Sequence, residues 1–142
     1  MKKKGWIRIV EAFIAILLIA GVLLIVINKG YIGTKDISLK VYDAEISMLR
    51  EIELNTELRK EILILSPLPV NWKSEKFPSS VKNLIINKKP NYLECEAKIC
   101  DLIGICFLDT YIEEDVYSQA VAITASLEYY KPRQLKLFCW VK

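Results

Sequence analysis

The chain has 142 residues, 53% of them hydrophobic, and no histidine, so the commonest general base and metal ligand is missing. Its net charge of +3 is unevenly spread: residues 1–29 carry five basic groups and one acid, while residues 30–142 carry 15 and 16. That leaves no basic stripe to follow phosphates and argues against a nucleic-acid partner. No phosphate-binding glycine loop and no nucleophile elbow occurs. Neither an enzyme nor a cofactor, metal site or small-molecule substrate is therefore expected.

In chain order, the first feature is Trp6 to Ile27, WIRIVEAFIAILLIAGVLLIVI. From Ala12 onward it carries no charged side chain, and its length matches the ~20 residues of helix that cross a hydrocarbon core. A helix without a polar face belongs in lipid or in a fully buried core, and a chain this short has little protein to surround one. Lys2, Lys3, Lys4 and Arg8 crowd the N-terminal side, with only Lys29 and Lys35 close beyond it. The positive-inside rule then places the N-terminus in the cytoplasm and the rest outside, a single-pass arrangement in the cell membrane. A cleaved secretory signal shares the basic start. Here, however, the apolar run is too long, and no small-x-small site follows it. The expected organisation is a basic leader at 1–5, a transmembrane helix at 6–29, a glycine hinge at 30–34 and an extracytoplasmic domain at 35–142.

Gly30 and Gly33 suit a helix end or hinge, and Thr34 can cap a new helix with Asp36 in its first turn. Along 35–53, Ile37, Val41, Ala44, Met48 and Ile52 recur at helical spacing, and Leu39, Tyr42, Ile46 and Leu49 widen the stripe. Such a width predicts a helix packed on a sheet. Asn55 or Thr56 restarts a short helix carrying Leu58, Ile62 and Leu65, which Ser66-Pro-Leu-Pro69 stops. Residues 66–78 read as an ordered loop with Trp72 as a lid on the core. Ser79 or Ser80 can cap a third helix with Val81, Leu84 and Ile85 inward.

From Asn91 the period switches to two. Leu93, Cys95, Ala97 and Ile99 face one way, which predicts a strand with one buried face. A turn at 101–104 predicts a second strand over 105–108, and an acidic loop, Glu113-Glu-Asp115, follows. Val121 to Tyr129 alternate as a third strand, and Lys131-Pro-Arg-Gln134 connects it to a last strand, Leu135 to Val141. The expected fold is α+β: an N-terminal transmembrane helix, then two or three helices packed on a C-terminal four-stranded antiparallel sheet arranged as a meander.

Four cysteines, Cys95, Cys100, Cys106 and Cys139, lie in the second half. An exported domain with an even cysteine count favours disulfides over metal, and no C-x2-C knuckle is present. Four cysteines allow three connectivities. Pairing Cys95 with Cys139 fits two inward strand positions, and pairing Cys100 with Cys106 fits the two ends of a turn. Free thiols and a four-cysteine metal site are the competing readings.

Glu11 is the one acid in the apolar segment. A carboxylate in a membrane helix is costly enough to ask for a partner. Arg8, one turn earlier, offers one in the same chain; a second molecule offers the other. The segment Lys2-Lys-Lys-Gly5, followed by Trp6-Ile-Arg-Ile-Val-Glu11 and a long apolar run, resembles the N-terminus of type IV pilins and pilin-like proteins. The resemblance implies peptidase cleavage after Gly5, a mature chain starting at Trp6, and a Glu11 that neutralises the terminal amine of a neighbouring subunit in a filament. It also implies homo- or hetero-assembly through the apolar helix. Glu11 would be the sixth mature residue, one later than in the familiar bacterial pattern, and Arg8 adds a charge where that pattern has none. The alternative reading is a stand-alone single-pass protein whose external domain binds or scaffolds a partner.

Overall fold

In a computed structural model, residues 3–28 and 37–142 are described. The expected hinge at Gly30–Gly33, the Thr34 cap and Asp36 lie outside those residues. The chain divides into two compact units, Met1–Ile37 and Ser38–Lys142.

The first unit holds helix α1 (Lys3–Asn28). Its stretch Gly5–Ile25, 21 residues of mean hydropathy 2.5, is long and apolar enough to cross a membrane, and none of it is buried by the protein itself. At 1.5 Å per residue it extends about 31 Å. Side chains such as Leu18 and Leu24 are accordingly exposed.

The second unit is α+β. It runs α2 (Ile37–Leu54), α3 (Thr56–Ile64), β1 (Val70–Asn71), α4 (Ser79–Lys88), β2 (Leu93–Asp101), β3 (Tyr117–Ile123) and β4 (Arg133–Val141). On α2 the buried stripe is Val41, Glu45, Met48, Leu49 and Ile52. Ile37, Leu39 and Tyr42, expected on that face, are exposed. Asn55 caps α3 by accepting from the amides of Glu57 and Leu58 at 3.0 and 3.3 Å. The N-cap of α4 is Pro78 and makes no side-chain bond. Ser80 donates to the Glu61 carboxylate instead, so neither serine caps the helix as expected.

The four strands form one antiparallel sheet in the order β1-β2-β4-β3, which corrects the expected meander. β2 pairs with β4 along nine residues, from Leu93 opposite Val141 to Asp101 opposite Arg133. β3 pairs with the other side of β4, from Tyr117 opposite Cys139 to Ile123 opposite Arg133. Residues 105–108 form no strand. A return strand there would need an edge of β2, and both edges are taken, one by β4 and the other by the short β1. β1 itself arises inside the proline-rich segment expected to be loop. The third strand also ends sooner than its alternation implied, at Ile123. Beyond it Ser126 and Tyr129 close a tight loop, with Ser126 N donating to Tyr129 O at 2.8 Å. That turn takes the backbone groups the ladder would have used.

The odd-numbered side of β2 and β4 faces the core with the apolar sides of α2, α3 and α4. Leu93, Ile99, Leu135 and Leu137 are wholly buried there beside Ile52, Ile62 and Ile85. Each such side chain stabilises the fold by about 1.5–3 kcal/mol. Trp72 packs against this cluster as a lid and meets Phe77 edge-on at 5.2 Å. On the opposite side of the sheet Lys98 is buried. Its Nζ donates to Asp109 Oδ1 at 2.7 Å and to the Phe107 carbonyl at 3.1 Å, which holds residues 107–109 against that side. Arg133, likewise buried, reaches Asp101 and the Leu65 carbonyl, each at 3.2 Å.

The cysteines fall into two pairs at disulfide distance, Cys95 with Cys139 and Cys100 with Cys106. Cys95 and Cys139 are direct cross-strand neighbours whose Cα atoms lie 4.2 Å apart. Joined, they remove loop entropy from the unfolded chain over a separation of 44 residues. On that model the link stabilises the domain by about 3–4 kcal/mol. Replacing both, Cys95→Ala with Cys139→Ala, should lower the unfolding free energy of the detergent-solubilised chain by about that amount, read from denaturant titration. A loss below about 1 kcal/mol would show that the pair does not constrain the unfolded chain.

Candidate functional site

The residues singled out by sequence occupy separate places. Gly5, Trp6, Arg8 and Glu11 all lie exposed on the first turns of α1, and Trp6 is 72% exposed. Arg8 and Glu11 are three residues apart and share a helix face. Among the described residues no ion pair joins them: the salt bridges of the chain all lie between Glu51 and Lys142. Among the described residues Glu11 therefore has no charge partner.

The acidic loop Glu113–Asp115 is exposed, and among the described residues no group of three cysteine or acidic side chains converges to hold a metal. The Cys100–Cys106 pair closes a small ring after β2. Around that ring Ile103 and Ile105 are 100% and 89% exposed, with Phe107 at 62%. The turn at Asp101 and Gly104 lifts these side chains off the sheet.

One candidate residue was not singled out in the sequence. Glu45 is only 1% exposed, midway along α2, and its Oε1 has no hydrogen-bond partner. The signal was present: Glu45 is four residues after Val41 and four before Leu49, so it sits on the buried stripe rather than beside it. Glu45 lines a cavity of about 270 Å³ between the N-terminal half of α2 and β3, with Ser38, Leu39, Tyr42, Tyr117, Ser118 and Gln119. Among the described residues no lysine or arginine lines it. Burial disfavours the charged form and raises the Glu45 carboxyl from 4.5 to about 7. A second hollow, about 450 Å³, lies between α3 and the loop after β3 and is lined by Arg59, Lys60, Leu63, Leu127 and Tyr129. Arg59 spans it by donating to Thr124 Oγ1 at 2.9 Å.

The arrangement supplies no nucleophile paired with a base. It supplies a membrane-length helix bearing an acid with no charge partner among the described residues, and a head domain with a buried carboxylate whose Oε1 has no hydrogen-bond partner. Compared with known proteins, the chain matches no family model, no curated protein and no solved structure.

The raised Glu45 pKa makes folding pH-dependent with a definite sign. The folded state holds this proton more tightly than the unfolded one, so the stabilisation is complete below about pH 4.5 and is lost as pH rises through about 7. The shift corresponds to about 3 kcal/mol. Glu45→Gln should accordingly match the wild type in acid and exceed it in stability by up to about 3 kcal/mol at about pH 8, in denaturant titrations across that range. Parallel pH profiles for the two proteins would contradict this assignment.

Proposed function

We propose that this protein is a pilin-like subunit that assembles through its N-terminal apolar helix and displays a disulfide-stapled α+β head outside the cell, without catalysis of its own. The observation that carries the reading is Glu11. It is the only acid in a 21-residue apolar helix segment, and it is exposed without a charge partner among the described residues. A carboxylate in that setting favours a cation supplied from another molecule. The amine freed by cleavage before Trp6 is such a cation, and neighbouring helices packed side by side would bring it within reach. The pair of glycine and aromatic residue at Gly5 and Trp6, behind a run of three lysines, supports the same reading.

The stand-alone single-pass alternative keeps the anchor and the head but leaves the leader uncut. The two differ at the mature N-terminus. Edman or mass-spectrometric sequencing of membrane-derived protein should begin at Trp6, whereas an intact Met1 would count for the alternative. Glu11→Gln should leave membrane insertion intact and reduce assembly by at least about tenfold, read as cross-linked oligomer, since the charge pair is lost. Unchanged assembly would remove Glu11 from the interface.

A further inference from the structure

β3 closes the sheet at one edge, since it pairs with β4 alone among the described residues. Its seven residues, Tyr117-Ser-Gln-Ala-Val-Ala-Ile123, contain no charge and no proline. Protein edges are normally blunted by lysine, proline, bulges or a covering element, because an open edge is a template for another strand. This edge has none of the sequence devices. The cavity bearing Glu45 opens beside the start of the same strand, through Tyr117, Ser118 and Gln119. A strand with a ladder partner on one side alone among the described residues thus stands next to a buried carboxylate oxygen that lacks a donor.

We propose that β3 and the Glu45 cavity together form a docking site for an extended strand of a partner protein, which adds to the sheet along β3 and places a lysine or arginine side chain against Glu45. Strand addition supplies affinity through main-chain hydrogen bonds, and pockets for alternate side chains supply selectivity. Side chains of an added strand on the core side of the sheet point the same way as Tyr117 and Gln119, toward the cavity. The cation follows from complementarity: a donor bearing positive charge satisfies the orphan oxygen and offsets the desolvation of the acid. The titratable groups lining the cavity with Glu45 are Tyr42 from α2 and Tyr117 from β3, neither of them a cation at neutral pH. A second copy is the weaker occupant. Pairing β3 with another β3 would bring a second uncharged strand and leave Glu45 unsatisfied. The site is independent of whether the leader is cut or the apolar helices bundle.

The test uses the full chain in detergent micelles and labelled heptapeptides of alternating valine and threonine, with the central residue lysine, arginine, norleucine or glutamate. Fluorescence anisotropy at about pH 8 should give lysine and arginine peptides an affinity at least about tenfold above norleucine, and glutamate the weakest. Glu45→Gln should bring the lysine-to-norleucine ratio to within about twofold. Lowering the pH to about 5.5, where Glu45 takes up its proton, should narrow the ratio in the wild type. Gln119→Lys, on the core side of β3 and lining the cavity, supplies a competing cation and should abolish the preference; it serves as the second variant, with folding of both checked by circular dichroism. No peptide binding, equal affinity for all four peptides, or a preference that survives both variants would overturn the proposal. So would a wild-type dimer broken by Gln119→Lys without any lysine preference, which would assign the edge to a second copy.

Discussion

The nine-residue ladder between β2 and β4 is the constraint from which the head domain takes its shape. It sets Leu93, Cys95, Ala97 and Ile99 on one side with Leu135, Leu137 and Cys139, and that side supplies the surface on which all three head-domain helices bury their stripes. Slipping the register by one residue would turn this whole set toward the opposite side. Cys95 and Cys139 stand directly opposite each other in the ladder, so a covalent link there holds the same register that the apolar pattern selects. With both sides of β2 taken, the chain from Leu102 to Val116 cannot pair and instead folds back across the other side of the sheet, where Lys98 holds it at Phe107 and Asp109.

The same ladder determines what remains open. Because β4 lies between β2 and β3, β3 becomes the outer strand among the described residues, and it lies next to Glu45, a deeply buried acid whose Oε1 lacks a hydrogen-bond partner. A hydrophobic residue at position 45 would fill the stripe of α2 without a desolvation cost. Keeping a carboxylate there weakens the fold above neutral pH, and such a cost is the usual mark of a residue held for binding rather than packing. Glu11 on the apolar helix and Glu45 in the head pose the same physical question. Each lacks a cation within the described chain.

Much of this was legible in the sequence because it followed from periodicity. The apolar helix, the stripe of α2, the Asn55 cap and the inward placement of Cys95 and Cys139 each need only local spacing and residue type. The strand order was not legible, because whether β2 pairs with its neighbour in sequence or with the last strand depends on competition for an edge, and that is a property of the whole sheet. Residues 105–108 have strand-like composition yet no edge to join. Val70 and Asn71, between prolines and a tryptophan, look like loop yet find the other edge of β2. Glu45 was hidden for the opposite reason: its spacing was visible, but a charged residue on an apolar stripe reads as a boundary until packing shows that the stripe passes through it.

The central claim is that the apolar helix holds a disulfide-linked head outside the cell. The most direct test is protease treatment of intact cells producing the chain with an epitope after Lys142, followed by immunoblotting for the tag. The account predicts that added protease removes the epitope while a cytoplasmic control protein stays whole. An epitope protected in intact cells and digested only after lysis would contradict it.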